Sequence, residues 1–309
     1  MFPCMGDGFI KSVKPRMLRV QYLGFSFLRR TFLIWLLWIA VKAAEREEKM
    51  KNSLWSTVLD NTMFVLQCIM IAAVLVAAAY GAEKYLKKRN KDPERILTTR
   101  KIAMIGIFSA IATVLMWIEF PIPLIAPPFY ELDFSELPAL IGAFAFGPVA
   151  GVMIEFCKVV LKLITKGTST AFVGDLANFV IGCSFILPSS IIYMFKKSKR
   201  NAIAACVAGT LCMAVFGSAF NGIYLLPAFA KLYGMPLDVI IQMGTEINGF
   251  ITNIPTFVIF AVAPMNLIKG GCVSLITMFV YKPLSPILKA AAVHGKERIR
   301  FQTEGKYGK

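Results

Sequence analysis

The sequence predicts an all-α, polytopic membrane protein. Hydrophobic residues make up 57% of the 309 residues and the mean hydropathy is +0.65, whereas about 45–50% is usual for soluble domains. Several apolar runs reach the roughly 20 residues that a helix needs to cross a bilayer. The net charge of +16 comes largely from Lys and Arg grouped beside those runs, which is typical of cytoplasmic loops near anionic lipid. This grouping favours contact with a lipid bilayer over nucleic-acid binding.

The N-terminal part is predicted to lie outside the main module. Residues 1–49 contain only a short apolar stretch, Phe32–Val41, and Met50 resembles a second translation start. We interpret residues 1–49 as an extension of uncertain origin. Residues 50–99 are predicted to form one extra transmembrane helix, at 61–82, followed by a charged cytoplasmic linker.

The main module, residues 100–289, is predicted to contain six spans, followed by a basic tail at 290–309. The spans are Ile102–Ile118, Leu137–Phe146, Val152–Ile164, Val173–Phe195, Ala202–Phe229 and Ile247–Tyr281, with a tight cytoplasmic turn at Gly147–Gly151 and an interruption of the last span near Asn253 or Pro264. Lys and Arg concentrate before the first span, after the fourth and after the sixth. By the positive-inside rule, both ends of the module face the cytoplasm.

The segment at residues 119–137 separates the first two spans. It has four prolines and several acidic and aromatic residues, but no Lys or Arg. Prolines remove backbone donors and favour extended geometry, so this segment cannot be a spanning helix. The lack of basic residues places it on the outer side, and long ordered loops are often functional. We predict a lid over a site that opens outward; a plain external turn is the alternative.

Several spans carry amide side chains, which need polar surroundings at membrane depth. Three of these amides, Asn178, Asn221 and Asn266, lie in different predicted spans. Asp175 lies three residues before Asn178, and Lys269 lies three residues after Asn266. Each amide offers both a donor and an acceptor, so amides from separate helices favour a pocket for a flat polar molecule. The alternative is that they only join helices.

Charged residues also occur at membrane depth, where each costs about 2.5–3.5 kcal/mol. Glu155, Lys158 and Lys162 share one face of the third span. A purely structural Glu155–Lys158 ion pair is an equal alternative to a role at a site. The sixth span also contains two further amide side chains, Asn248 and Asn253.

The first span has small residues on one face. Ala103, Gly106 and Ala110 recur every three or four residues, which lets another helix approach closely. The approaching helix is either part of the same module or belongs to a partner protein at the cytoplasmic edge.

Catalytic and metal-binding motifs are missing from the sequence. It has no Walker A motif, nucleophile elbow or HExxH motif. Its seven cysteines and the single histidine, His294, follow no metal-ligand spacing. We therefore predict no metal site and no enzymatic activity, and any ATP hydrolysis would require a partner.

Six stretches within residues 100–289 carry a family resemblance. They are Glu119–Phe129, Leu132–Gly142, Phe146–Gly151, Gly174–Phe179, Tyr224–Pro227 and Pro264–Gly270. In this order they resemble the riboflavin-specific S components of energy-coupling factor (ECF) transporters, the RibU type. The resemblance implies a six-helix bundle in the plasma membrane of a bacterium, which binds riboflavin at its outer face. Delivery to the cytoplasm would need a transmembrane T subunit and two ATPase subunits, with riboflavin as the transported ligand and no cofactor.

The resemblance also implies roles for individual residues. In this family the loop after the first helix closes over the vitamin, and the last helix carries an Asn-x-x-Lys pattern. The expected ligand contacts are Asn266, Lys269, Asn178, Asn221, Asp133, Leu132, Tyr130 and Asp175. The expected contacts with the T subunit are Ala103, Gly106 and Ala110. The chain departs from the family at Asp175, where Glu is common, and at Met265, where an aromatic residue is common.

The sequence leaves three alternatives to a riboflavin S component. The first is an S component for another vitamin or a flavin analogue. The second is a membrane enzyme acting on lipid, with Glu119, Asp133 and Glu136 as acid–base residues. The third is a structural membrane protein.

Overall fold

A computed structural model describes residues 62–127, 130–168 and 172–280. The interpretations of residues 1–49 and 290–309 lie outside these ranges.

Most of the described chain is helical, and five helical segments are long and apolar enough to cross a bilayer. They are Thr62–Arg89, Thr99–Trp117, Val173–Phe195, Lys199–Lys231 and Ile254–Val280. The chain is therefore membrane-embedded, and the predicted all-α fold class is confirmed.

The helix before the main module is α1, Thr62–Arg89. It extends past the predicted end at residue 82, and its last turn is basic, where positive charge stabilises the C-terminal end of the helix dipole. The next helix is α2, Thr99–Trp117. It begins after Thr98, whose hydroxyl accepts a hydrogen bond from Lys101 N and so caps the helix.

The proline-rich loop that follows α2 forms a short hairpin. Its strands, β1 (Phe120–Pro121) and β2 (Glu131–Leu132), pair in antiparallel fashion. Ala126 and Leu132 are buried in a cluster that also contains Phe257. The loop is thus anchored by apolar packing as well as by backbone pairing.

Two shorter helices follow the hairpin. Helix α3, Glu136–Phe146, has 11 residues and is too short to cross a bilayer alone. Helix α4 is Pro148–Thr165. The tight turn predicted at Gly147–Gly151 is shorter than expected, because only Gly147 lies between the helices. The φ of Gly147, 111°, favours glycine, and Pro148 is already at a helical position that accepts proline.

The C-terminal half contains five further helices. They are α5 (Val173–Phe195), α6 (Lys199–Phe220), α7 (Leu226–Tyr233), α8 (Leu237–Thr245) and α9 (Ile254–Val280). Helix α8 lies between the fifth and sixth predicted spans. Of the two expected interruptions of the last span, the one near Asn253 is observed, because this residue caps the start of α9.

Two π-helical turns lie at matching positions before prolines. The turn Asn221–Leu225 precedes Pro227, and the turn Val258–Val262 precedes Pro264 within α9. Proline lacks an N–H group and crowds the preceding turn, and a wider turn is one way to keep the helix continuous. The helix is therefore not interrupted at Pro264, contrary to that alternative in the sequence prediction.

The core lies between the helices of the main module. Buried Ile105, Leu140, Ile154, Phe185 and Met213 come from α2, α3, α4, α5 and α6 respectively and belong to one cluster. A second cluster joins α1 to α4 and α5 through small residues of α1. Helix α1 is thus packed on the bundle.

Candidate ligand-binding site

A cavity of about 310 Å³ lies between the hairpin loop and helices α4, α5, α6 and α9. This volume is within the range of about 300–1,000 Å³ that is typical of small-molecule sites. All eight residues expected to contact a ligand line it: Tyr130, Leu132, Asp133, Asp175, Asn178, Asn221, Asn266 and Lys269. The structure therefore brings these residues together from separate parts of the chain.

Asp133 joins the loop to two helices. Its Oδ2 atom lies 3.0 Å from Lys269 Nζ and accepts a hydrogen bond of 3.2 Å from Asn178 Nδ2, and its Oδ1 accepts one of 2.8 Å from Ser135 N. Burial alone would raise the pKa of Asp133, but the charges of Lys269 and Lys158 and the hydrogen bonds from Ser135 outweigh it. The pKa is well below its usual value, and the carboxylate is ionised.

A second layer of charge lies behind Asp133. Glu136 Oε1 is 2.8 Å from Lys269 Nζ and 3.3 Å from Lys158 Nζ. Lys158 also donates to Ser135 Oγ and lies 2.7 Å from Glu155 Oε2, in an ion pair without hydrogen-bond geometry. Lys158 and Glu155 do not line the cavity. The structural alternative for this pair is therefore the one observed, and the pair supports the residues that face the cavity.

Two further ion pairs lie at the cavity wall. Lys162 Nζ is 2.5 Å from Asp175 Oδ1, and Thr168 Oγ1 donates to Asp175 Oδ2 over 2.7 Å. Lys166 pairs with Glu119 of the loop. Each lysine that lines the cavity among the described residues thus has a carboxylate partner.

Asn221 contacts the loop from the opposite side. Its Oδ1 accepts a hydrogen bond of 2.9 Å from the Tyr130 hydroxyl, and its Nδ2 donates to Gly217 O over 2.7 Å. The Tyr130 ring also packs on Phe257, with centroids 6.1 Å apart. Burial raises the pKa of Tyr130, so its hydroxyl remains a donor.

Three buried polar atoms of cavity-lining residues have no hydrogen-bond partner among the described residues. They are Glu136 Oε2, Asn178 Oδ1 and Asn266 Nδ2. Such atoms are usually satisfied in folded proteins, and a polar ligand can satisfy them. The absence of a side chain at Gly217 leaves space for Asn266 Nδ2, because a Cβ atom at residue 217 would lie 2.8 Å from this nitrogen.

The profile of a transporter family, described as "ECF transporter, substrate-specific component", matches residues 100–281. The chain belongs to this family. The matched segment begins just after the start of α2, so α1 lies outside it.

Two relatives of this S component are named riboflavin transporters. RibU of Staphylococcus aureus (strain TCH60) is 36% identical over 191 residues, which are 62% of this chain and 93% of the relative. FmnP of Bacillus subtilis (strain 168) is 29% identical over 202 residues, which are 64% of this chain and 100% of the relative. A solved S component of a bacterial ECF transporter is 34% identical and covers 61% of this chain and 97% of its own, with a TM-score of 0.48.

The family assignment bears on the lipid-enzyme hypothesis. S components belong to transporters, and the two relatives are named as transporters. The acids proposed for catalysis, Glu119, Asp133 and Glu136, are each held in an ion pair with a lysine. The prediction that the chain is not an enzyme is confirmed by the family, and the lipid-enzyme alternative is wrong.

Some residues at the site of this S component were not expected as ligand contacts. The sequence predicts Glu136 only as a catalytic acid and Lys162 only as part of a charged helix face, yet both line the cavity. The signal for Lys162 was its charge at membrane depth. Thr168 and Met116 also line the cavity, and nothing in their local sequence distinguishes them.

Two amides of the sixth predicted span do not reach the cavity. Asn253 caps α9 through Thr256, and Asn248 Oδ1 accepts a hydrogen bond from Phe250 N. The local roles of these side chains account for them, so only three of the amides considered line the cavity.

The small residues of α2 lie on its outer side. Ala103, Gly106 and Ala110 are exposed, and a Cβ atom added at Gly106 would meet no atom within 4 Å. Packing against another described helix of this S component therefore does not explain them.

Proposed function

We propose that this chain binds riboflavin in the cavity and delivers it to the cytoplasm as the substrate-specific component of an ECF transporter. The proposal is supported by the family assignment and by relatives whose names specify riboflavin. The relative from Staphylococcus aureus is covered over 93% of its length, so the similarity extends over nearly all of that protein.

One observation carries the assignment of the site. Asn178 offers an unpartnered acceptor and Asn266 an unpartnered donor at the same cavity, close to Lys269. The isoalloxazine ring of riboflavin has carbonyl acceptors and an N–H donor along one edge, and its flat face is apolar. Amides that offer a donor and an acceptor are suited to such an edge, while Met265 and Leu225 supply apolar contact at the cavity wall.

The charges of the site favour a neutral flavin. Three lysines line the cavity, and each is paired with a carboxylate: Lys162, Lys166 and Lys269. A phosphate group would have to break one of these pairs or approach the carboxylates, which is unfavourable. We expect FMN to bind more weakly than riboflavin.

Transport would require partners that hydrolyse ATP. The exposed small residues Ala103, Gly106 and Ala110 form a surface that a helix of a T subunit could approach closely, and two ATPase subunits would complete the transporter. In this proposal the hairpin loop faces outward and both ends of the six-helix module face the cytoplasm, in agreement with the positive charge near those ends.

The direct test is ligand binding by the purified full-length chain in detergent. Riboflavin should co-purify with the protein. When the protein is stripped of ligand and titrated with riboflavin, binding should quench the flavin fluorescence, with a Kd in the submicromolar range. Asn266→Ala should weaken binding about 10- to 100-fold, because a buried polar partner of the ligand is removed. Asn248→Ala, a change outside the cavity, should leave affinity unchanged.

Three results would overturn the proposal. One is a wild-type protein that retains no flavin and does not bind riboflavin at micromolar concentration. Another is competition by thiamine or pantothenate as effective as that by unlabelled riboflavin. The third is equal affinity of the Asn266→Ala and wild-type proteins.

A further inference from the structure

Helix α1 lies before the family segment, but its residue Phe64 packs against a cluster that contains the cavity-lining residues Leu225 and Phe229. Near its N-terminal end, the ring of Phe64 stacks on Tyr224, with centroids 6.4 Å apart and planes inclined by 12°. Tyr224 stacks in turn on Phe220, with centroids 5.3 Å apart and planes inclined by 19°. A continuous set of aromatic rings therefore joins α1 to the end of α6.

Tyr224 belongs to the π turn Asn221–Leu225, and the two end residues of this turn line the cavity. In a regular α-helix, residues three apart lie on the same face. Here Asn221 contacts the loop and the cavity, whereas Tyr224 stacks on α1. The π turn thus presents Asn221 to the ligand site and Tyr224 to α1.

The C-terminal part of α1 is fixed independently. Glu83 is fully buried, and its Oε2 accepts a hydrogen bond of 3.0 Å from Val149 N, in the first turn of α4. Gly147 at the N-cap has no side chain to make this bond, and a carboxylate at a helix N-terminus is favourable. Glu83 therefore caps α4 from another helix.

A second contact holds the same end of α1. Asn90 Nδ2, just beyond the last turn, donates to Met194 O at the end of α5 over 2.9 Å. Arg89 lies over the ring of Phe195, 4.5 Å from its centroid. Helix α1 is thus attached to the bundle near both ends, and a shift of α1 would move the aromatic rings behind the cavity.

We infer that α1 is an accessory helix that shapes the ligand site, with Phe64 as a positioning residue for Asn221. Phe64 does not line the cavity. It acts through Tyr224, which keeps the π turn in the register that presents Asn221 to the Tyr130 hydroxyl and to the ligand. The inference rests on the proposed function, because the expected ligand is riboflavin.

The experiment measures the Kd for riboflavin and the thermal unfolding temperature of full-length variants in detergent. Phe64→Leu keeps apolar bulk but removes the ring, and we expect Kd to rise about 3- to 10-fold. Phe64→Tyr should keep the wild-type Kd, because the aromatic ring is retained. Ile69→Leu changes an exposed residue of α1 and serves as the matched control, with no change in Kd.

A double-substitution cycle separates positioning from general stability. If Phe64 acts through Asn221, Phe64→Leu should have no further effect on Kd in an Asn221→Ala background. A lower unfolding temperature with unchanged Kd, or additive effects on Kd in the double variant, would overturn the inference. Absence of riboflavin binding by the wild type would instead overturn the proposed function, so the two failures can be told apart.

Discussion

Lys269 Nζ lies 3.0 Å from Asp133 Oδ2, so an ion pair connects the last helix directly to the loop beside the cavity. Both side chains are largely buried, with exposed fractions of 12% and 5%. The same loop makes another ion pair, between Glu119 and Lys166 just after the end of α4. The exposed fractions of these two side chains are 26% and 45%. The two pairs have the same charges and join the same loop, but differ in burial.

This difference predicts unequal effects on stability. Lys269→Met leaves the Asp133 carboxylate buried without its main cation, which should cost about 3–5 kcal/mol of the free energy of unfolding. Lys166→Met removes a largely exposed partner and should cost about 0–1 kcal/mol. Thermal unfolding of the ligand-free protein in detergent measures both.

A second substitution checks the cause. Adding Asp133→Asn to Lys269→Met removes the uncompensated charge and should recover part of the lost stability. Equal losses for Lys269→Met and Lys166→Met, or no recovery in the double variant, would contradict the importance of burial at the Asp133 pair.

Glu131 in β2 should make loop stability depend on pH. Burial and the nearby charge of Glu119 raise its pKa above the usual value. A carboxyl group whose pKa is raised by folding destabilises the folded state as pH rises above the unfolded-state pKa of about 4.3. The unfolding temperature of Glu131→Gln should therefore exceed that of wild type at pH 7, and the gain should shrink toward pH 4.

The measurement is a series of thermal unfolding curves from pH 4 to pH 7 for the two proteins. The informative quantity is the difference between their unfolding temperatures at each pH, because other titrating groups contribute to both. A constant difference across the series would show that the charge of Glu131 is not responsible.

The convergence of polar residues on the cavity could be predicted because each signal was local. Asn266 and Lys269 are three residues apart in an apolar helix, so they share a face that must avoid lipid. The loop was recognisable by its four prolines and its lack of basic residues. These local rules were sufficient to select residues that the fold then places around one cavity.

Contacts between distant parts of the chain could not be predicted in the same way. The approach of Lys158 and Lys269 to the same Glu136 oxygen depends on how three helices pack. The π turn at Asn221–Leu225 forms only within the folded bundle, and the role of Glu83 as a cap on α4 depends on the position of α1. Periodicity and composition contain no information about these relationships.

Gly217 provides a test of the Asn266 amide in its observed position. A Cβ atom at residue 217 would lie 2.8 Å from Asn266 Nδ2, closer than nonbonded atoms can approach, so the amide must move. Gly217→Ala should weaken riboflavin binding about 10-fold, which corresponds to about 1.4 kcal/mol, while the folded state is largely retained because a side-chain end can shift. Fluorescence titration measures the change.

The matched control is Gly81→Ala, a glycine of α1 whose added Cβ atom would meet nothing within 4 Å. It should leave affinity unchanged. Combining Gly217→Ala with Asn266→Ala should produce no further loss relative to Asn266→Ala alone. A further loss would mean that Gly217 acts on the site by a route other than this amide.

The exposed face of α2 gives the final prediction, on assembly with a T subunit. Small residues allow close helix approach, so added bulk at Gly106 should separate the two helices. Gly106→Leu should abolish co-purification of the T subunit and riboflavin uptake by cells, yet retain the wild-type Kd for riboflavin, because residue 106 does not line the cavity. Ala77→Leu adds bulk at an exposed position of α1 and should leave assembly, uptake and Kd unchanged. Retained co-purification with the Gly106→Leu variant would exclude this face as the contact, whereas loss with both variants would show that any added bulk on the lipid-facing side disrupts assembly.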